Sequence, residues 1–323
     1  MDKHMRILIA YDGSSHAKAV LEDLKWAGLP PKVEAVVLTA ADVWLLPEPK
    51  PASPSVPASV IAAAEKSRRQ AQQAVRAAEI LAEAACQQLR ADFPDWQVRA
   101  EAPADSPAWA IIKKCEAWPA DLVVVGSRGL SNLESLILGS VSQKVVTEVG
   151  CSVRVVRPQA RREPLCLLVG LDGSPGADAA IRTVAERRWP AGVQIHLVTV
   201  ADPRMLTAIA APDHPARQWL QAGDENEWAW LHRMSEAAAG KLEAAGLKVS
   251  TLIASGDPKQ ILVEEAEACD ADCIFVGARG HRGLQRLLLG SVATAVAARA
   301  GCTVEVVRPK ALTQGEMGEK ENR

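Results

Sequence analysis

Gly126-Ser-Arg-Gly-Leu-Ser-Asn-Leu-Glu-Ser-Leu-Ile-Leu-Gly-Ser-Val141 follows a short apolar run and precedes a helix-like run. A near copy stands in the same surroundings downstream, Gly277-Ala-Arg-Gly-His-Arg-Gly-Leu-Gln-Arg-Leu-Leu-Leu-Gly-Ser-Val292. Both copies have the pattern Gly, two residues, Gly, nine residues, Gly-Ser. The pattern predicts a glycine loop that joins a strand to a helix and occurs once in each half of the chain.

The loop has the features of a phosphate-binding turn. A glycine directly after a strand lets the backbone turn sharply and approach a ligand closely. The two Gly-Ser pairs stand where helices should begin, and the N–H groups and dipole of a helix start attract anions. The loop lacks the Gly-Lys-Ser/Thr ending of a P-loop, and its glycine spacing differs from that of the dinucleotide fingerprint. The alternative for one copy is a structural turn with a helix cap, and the repetition favours the binding loop.

With this doubled motif, the chain resembles the ATP-binding branch of the universal stress protein family, as a tandem of two such domains over nearly its whole length. The resemblance implies ATP as the ligand, with or without Mg²⁺. It also implies that each domain is Rossmann-like (adenine nucleotide alpha hydrolase-like), with strand order 3-2-1-4-5. The alternation of strand and helix runs independently predicts an α/β fold, in which a five-stranded parallel sheet has helices on both faces.

The domains are predicted at residues 1–158 and 165–309, followed by a disordered tail at 310–323. Five prolines at 47–57 exclude helix or central strand there, and the second half has a loose stretch at 203–225. These segments are interpreted either as lids over the ligand site or as surface insertions. Because the family pairs domains through the fifth strand, the resemblance also implies an intramolecular pseudo-dimer and allows a homodimer.

Each half opens with a strand that ends in Asp-Gly-Ser, at Asp12 and at Asp172. As structure, the Asp and Ser side chains cap the following helix. As function, an Asp at the carboxyl end of a central strand lies where open parallel sheets bind ligands. The resemblance implies that Asp12 and Asp172 contact the adenosine part of ATP. It also implies that Ala40 and Val200 face the base, and Ala40 is smaller than the family's usual valine.

The predicted phosphate-binding residues are the loop glycines, the arginine inside each loop, and the residues at each helix start. Each arginine has an alternative interpretation as a solvated surface residue. Asp105 of the first half is equivalent to Gly256 of the second, and the family usually has glycine at this position. The Asp105 carboxylate could repel phosphate or point to water. We therefore expect the second site to bind ATP at least as well as the first. The predicted set is Gly126, Arg128, Gly129, Gly139, Ser140 and Val141, with Gly277, Arg279, Gly280, Gly290, Ser291 and Val292.

The sequence contains no recognisable catalytic set for hydrolysis, such as a positioned base with a metal-binding Asp or a Gly-x-Ser-x-Gly elbow. We therefore expect an ATP-binding protein that responds to stress and hydrolyses ATP slowly or not at all. The alternative is a non-catalytic interaction or scaffold protein of the same fold, in which one or both nucleotide sites are degenerate.

Composition limits the partners and the location. A net charge of −2 argues against a nucleic-acid or membrane-surface protein, and no apolar run reaches the length of a membrane span. The start has no signal peptide, which predicts a cytoplasmic location. The seven cysteines contain no CxxC pair and the six histidines are scattered, so the spacing predicts no metal site.

Overall fold

A computed structural model of the chain describes residues 4–44, 57–129, 138–160, 163–202, 227–280 and 289–309. The proline-rich segment up to residue 56, the stretch at 203–225 and the predicted tail at 310–323 lie outside these ranges. The chain divides into two compact units, and the boundary between them lies within residues 149–159. The predicted domain bounds, 1–158 and 165–309, stay predictions at the level of single residues.

The first unit alternates strand and helix along its described residues. Its elements are β1 (Met5–Ala10), α1 (Ser15–Asp23) with a 3₁₀ turn (Leu24–Trp26), β2 (Val33–Leu38), α2 (Ala58–Asp92), β3 (Gln97–Glu101), α3 (Pro107–Ala117), β4 (Leu122–Gly126), α4 (Ser140–Glu148) and β5 (Ser152–Val156). The strand order is β3-β2-β1-β4-β5. The registered pairs β1–β2, β1–β4 and β2–β3 are parallel, which confirms the predicted topology.

The second unit repeats this topology. Its elements are β6 (Cys166–Leu171), α5 (Pro175–Glu186), β7 (Gln194–Ala201), α6 (Glu227–Ala244), β8 (Lys248–Ser255), α7 (Pro258–Ala268), β9 (Cys273–Gly277), α8 (Ser291–Arg299) and β10 (Thr303–Val307). The order is β8-β7-β6-β9-β10, with parallel pairing between the registered strands. Each half therefore has the predicted order 3-2-1-4-5.

Helices cover both faces of each sheet, so the central strands are apolar along their length. In the first unit α1 packs with α2 and α3 packs with α4, and in the second unit α5 packs with α6 and α7 with α8. Ile7, Leu8 and Ile9 are consecutive on β1, and all three are completely buried. Successive strand side chains point to opposite faces, so this run fills two apolar layers at once.

The arrangement of the central strands positions the candidate site. In both units the first strand lies beside the fourth, because the chain winds outward in one direction and then reverses. The carboxyl ends of two neighbouring strands then open onto a crevice between their following loops, where open α/β sheets bind ligands. β1 is followed by Asp12 and β4 by the glycine loop, and β6 and β9 are followed by the equivalent segments.

Candidate functional site

The Asp-Gly-Ser turn after each first strand is fixed by its own side chains. The Ser14 N–H donates to Oδ1 of Asp12 at 3.0 Å, and the Ala17 N–H donates to Oγ of Ser14 at 3.1 Å. In the second unit the corresponding distances, from Ser174 and Ala177, are 2.9 and 3.2 Å. The glycine inside the turn has a φ of +76° in one unit and +75° in the other. The serine therefore caps the helix, and the aspartate closes the turn with one oxygen.

The second oxygen of each aspartate lies against the glycine loop. A Cβ built on Gly129 would stand 2.7 Å from Oδ2 of Asp12, and one on Gly280 would stand 2.6 Å from Oδ2 of Asp172. Real Cβ atoms essentially never come so close to another atom, so only glycine allows this close approach of the loop to the carboxylate. The structure thus brings together the Asp and Gly residues that the sequence analysis assigned to one crevice in each half.

The beginning and the end of each glycine loop are joined by backbone hydrogen bonds. The Gly139 N–H donates to the Ser127 carbonyl at 2.8 Å, and the Gly290 N–H donates to the Ala278 carbonyl at 2.7 Å. In the first unit the Ser142 hydroxyl also donates to the Gly126 carbonyl at 2.6 Å. The segments between, 130–137 and 281–288, lie outside the described residues. These bonds bring each helix start next to the end of the preceding strand.

Each of these helices begins at the predicted Gly-Ser pair. Gly139 and Gly290 are the N-cap residues of α4 and α8, and neither helix has a side-chain hydrogen bond at its cap. Ser140 and Ser291 are the first helical residues and are exposed, and the following Val141 and Val292 are half-buried. The N–H groups at a helix start have no partner within the helix. Both helix starts therefore offer backbone donors beside the glycine loop.

The predicted base-side residues lie at the carboxyl ends of the second strands. Ala40 follows β2 and is half-buried, whereas Val200 is the penultimate residue of β7 and is 6% exposed. Each stands beside a buried threonine, Thr39 or Thr199, whose Oγ1 has no hydrogen-bond partner among the described residues. Because buried hydroxyls almost always have a partner, these two atoms are notable at the edge of the sheet where the crevice opens.

Asp105 and Lys144 have partners that the sequence analysis did not predict. Oδ2 of Asp105 lies 2.6 Å from Nζ of Lys113, and the pKa of Asp105 falls below its ordinary value chiefly because of this contact. The two alternatives for Asp105, repelling phosphate or pointing to water, thus omitted a salt bridge that offsets its charge. Nζ of Lys144 stands 4.0 Å from the ring centroid of Trp109. Lys144 lies one helical turn after Ser140, where a lysine can be interpreted as a phosphate ligand, and this contact gives it a packing role instead.

The two crevices differ at the first turn of the helix after Asp-Gly-Ser. In the first unit a Cβ on Gly126 would stand 3.1 Å from Cβ of His16, whereas in the second unit one on Gly277 would stand 2.4 Å from the carbonyl carbon of Gly176. Sequence reasoning missed both residues, although each stands two positions after a capping serine. Burial lowers the pKa of His16, as do the charges of Arg128 and Arg157, whereas Asp12 raises it. The first crevice therefore has a histidine at the position where the second has glycine.

Comparison with known proteins identifies the family. The family model described as "Universal stress protein family" matches residues 3–157 and again residues 167–308. The chain belongs to the universal stress protein family. The two matched segments confirm the tandem arrangement that the doubled motif predicted.

Several universal stress proteins are similar to this chain. One from Mycolicibacterium smegmatis is 30% identical over 204 residues, which is 59% of this chain and 63% of that protein. One from Mycobacterium tuberculosis is 30% identical over 195 residues, or 58% of this chain and 62% of the relative. The match thus spans somewhat less than two thirds of the length of these curated relatives.

A solved structure shows the same fold along nearly the whole chain. The crystal structure of a universal stress protein from Archaeoglobus fulgidus superposes with a TM-score of 0.59 at 22% identity, covering 94% of this chain and 96% of that one. Within the described residues, no helix is both long enough and apolar enough to cross a membrane.

Proposed function

We propose that this universal stress protein binds ATP in the crevice of each half and acts as a nucleotide-dependent stress-response protein, with little or no hydrolysis. The observation that carries the proposal is the contact between an aspartate and a glycine loop in both units. A Cβ on Gly129 or on Gly280 would lie within 2.7 Å of an aspartate oxygen. Two separate sequences keep the same close approach of the loop backbone to the aspartate, which supports a shared ligand.

The electrostatics of the crevice suit a phosphate chain. Each loop leads to an uncapped helix start, whose N–H groups and dipole favour an anion. Arg128 and Arg279 stand half-buried between the two glycines of their loops, and guanidinium groups bind phosphate in a bidentate manner. A hydrogen bond to a charged group contributes about 1.5–3 kcal/mol, so a few such donors hold a triphosphate without a lysine. A Mg²⁺ ion would be held largely by phosphate oxygens and water.

The opposite end of the crevice suits a nucleoside. The carboxylates of Asp12 and Asp172 are acceptors, and ribose hydroxyls are donors of matching kind. Val200 offers an apolar surface to a base, and Ala40 offers a smaller one. The unpartnered hydroxyls of Thr39 and Thr199 supply polar groups at the same edge of the sheet. These features support an adenine nucleotide as the ligand class.

Slow hydrolysis, or none, is part of the proposal. The assigned groups are backbone donors, an arginine and an aspartate that already accepts an N–H from its own turn. Phosphoryl transfer needs in addition a group that orients the attacking water and residues that hold the metal. A cytoplasmic location, a pseudo-dimer of the two halves and a homodimer stay predictions.

An ATP titration of the whole chain tests the proposal. We expect calorimetry to give up to two ATP per chain, and we expect the double variant Gly139→Val with Gly290→Val to lose binding. Gly301→Ala is the matched control, because nothing lies within 4 Å of a Cβ built there. No heat from ATP with or without Mg²⁺ would favour the interaction protein instead. Phosphate release in proportion to protein, lost on changing Ser140 and Ser291, would overturn the lack of hydrolysis.

A further inference from the structure

Two cysteines and a histidine from three separate segments of the second unit come together at one place. Cys166 begins β6, His196 lies on β7, and Cys269 is the C-cap residue of α7. Their two Sγ atoms and one ring nitrogen of His196 all lie within 4.8 Å of one another. Because the three residues are far apart in the chain, the spacing rules that predicted no metal site had no means of detecting this group.

We propose that Cys166, His196 and Cys269 form a binding site for a thiophilic divalent cation, with Zn²⁺ as the fitting ion. Zinc takes thiolate and imidazole ligands in tetrahedral sites. A Zn–S distance of about 2.3 Å and a tetrahedral angle place two sulfur ligands about 3.8 Å apart. The Sγ atoms of Cys166 and Cys269 are 3.7 Å apart. The two sulfurs therefore already have the separation that one zinc ion requires.

The ring of His196 is held by groups outside the cluster. Its Nδ1 lies 3.0 Å from Oγ of Ser250, and the Ser250 hydroxyl is 3.4 Å from the Ile195 carbonyl. If the hydroxyl donates to that carbonyl, its oxygen accepts the proton on Nδ1, and Nε2 keeps the lone pair that a metal takes. Metal-ligating histidines are typically fixed in this way by a hydrogen bond at the other nitrogen.

A cavity beside the three ligands leaves room for a fourth. A cavity of about 150 Å³ is lined by His196 and Cys269 together with Glu265. Glu265 lies four residues before Cys269, so the two side chains share one face of the helix end. The Cys269 N–H donates to the Glu265 carbonyl at 3.0 Å, which holds these residues in one turn. The group of mutually close ligand atoms does not include the Glu265 carboxylate, so a water molecule completes the tetrahedral site unless the Glu265 side chain rotates toward the metal.

The equivalent positions of the first unit carry different residues from Cys166 and Cys269. Arg6 of the first unit is equivalent to Cys166 of the second. In each unit the N–H of this residue donates to an aspartate just before the fourth strand, at 2.9 Å. The helix C-cap is Trp118 where the second unit has Cys269. The Arg6 guanidinium stands 5.6 Å from the Trp118 ring centroid. A cation–aromatic contact in one half is thus replaced by a set of metal ligands in the other.

The proposed metal site is separate from the nucleotide crevice. Cys166 is the first residue of β6, and Asp172 follows the last residue of the same strand. Six residues at about 3.3 Å each place the two sites about 20 Å apart, at opposite ends of the strand. Metal binding therefore does not depend on the proposed nucleotide binding, and the two proposals can fail independently.

Cobalt titration of the full-length, reduced protein tests the site. We expect about one Co²⁺ per chain, with a thiolate-to-cobalt charge-transfer band in the near ultraviolet and the intense visible absorption of a tetrahedral centre. Zn²⁺ should displace the cobalt and raise the Tm, because an ion that binds only the folded state stabilises it. Loss of a ligand in Cys269→Ser or His196→Ala should weaken binding by more than about 100-fold, beyond the usual effect of an outer partner.

Two further variants separate a metal site from a structural pair of thiols. Ser250→Ala removes no ligand and should weaken Co²⁺ binding about 10-fold through the histidine that it orients. Cys115→Ser, a change at a half-buried cysteine of the first unit, should leave binding unchanged. The proposal is overturned if the folded chain gives no charge-transfer band, or if Cys269→Ser keeps it. A Cys166–Cys269 disulfide that persists in the presence of Zn²⁺ and reductant would also contradict it.

Discussion

The carboxylate of Asp172 stands directly against Gly280, where a Cβ would lie 2.6 Å from its Oδ2. The aspartate follows the first strand of its half, and the glycine belongs to the loop after the fourth. The strand order places the Asp-Gly-Ser turn beside the glycine loop, and the close approach means that neither can move without the other. A substitution at Asp172 or at Gly280 should therefore shift the position of the other residue.

Gly280→Ala is expected to weaken ATP binding at the second site. The new methyl group cannot keep its position without moving the carboxylate or the loop, and both are assigned to the ligand. We expect at least about a tenfold loss of affinity, which corresponds to about 1.4 kcal/mol. Calorimetry of this variant beside Gly301→Ala, where the space is open, gives the comparison. Equal affinity in the two variants would contradict the assigned crevice.

The second site is expected to bind ATP at least as tightly as the first. Its crevice has Val200 at the base position and backbone at Gly176, whereas the first has the smaller Ala40 and the His16 side chain. Gly290→Val should therefore remove at least as much ATP binding as Gly139→Val. The ranking of the sites is wrong if Gly290→Val leaves binding unchanged while Gly139→Val abolishes it. Circular dichroism of both variants checks that they fold.

A buried ion pair is expected to contribute strongly to the stability of the first unit. Nε of Arg154 lies 2.5 Å from Oδ2 of Asp23, and the two side chains are 1% and 2% exposed. Asp23→Ala takes this carboxylate away from a buried guanidinium, so it should lower the free energy of unfolding by about 3–5 kcal/mol. Urea unfolding measures this change.

Glu22→Ala is the control for this prediction, because Glu22 forms an exposed pair with Lys25 and should change stability by at most about 1 kcal/mol. A loss at Asp23 no larger than that at Glu22 would refute the expected importance of the buried pair.

The stability of the first unit is expected to fall in alkaline solution because of Cys86. Burial raises the pKa of this thiol to about 11 in the folded state. The folded protein keeps the proton where the unfolded chain loses it, so this contribution is complete below about pH 9 and disappears as the pH rises through about 11. The free energy of unfolding should fall less steeply with pH in Cys86→Ala than in the original chain. Equal slopes, with Cys115→Ala as the reference, would exclude this effect.

Most of the fold was predictable from local patterns. The apolar runs, the Asp-Gly-Ser turns and the Pro-containing helix starts are each encoded within about ten residues, so every described strand was expected close to its actual bounds. The run from Gln97 to Glu101, for example, predicts a strand from the sequence alone, and β3 has these bounds. The contact of Asp12 with Gly129 needed the strand order as well, and the family resemblance supplied that order.

The features that sequence reasoning missed depend on contacts between distant segments. Lys144 lies over the ring of Trp109, which belongs to the neighbouring helix α3. The pair of Asp105 and Lys113 is an exception, because its partners lie only eight residues apart. The cluster of Cys166 with His196 and Cys269 needs two strands and a helix end to meet. No spacing rule along the chain contains this information, because packing alone determines which side chains meet.

The most direct test of the account is to measure the nucleotide content of the freshly purified, full-length protein. The protein is denatured, and the released compounds are separated and quantified against the protein concentration. We predict ATP at one to two molecules per chain, held by crevices built on Asp12 with Gly129 and Asp172 with Gly280. Protein that releases no nucleotide and gives no calorimetric signal with added ATP and Mg²⁺ would contradict the account and leave the glycine loops as structural turns.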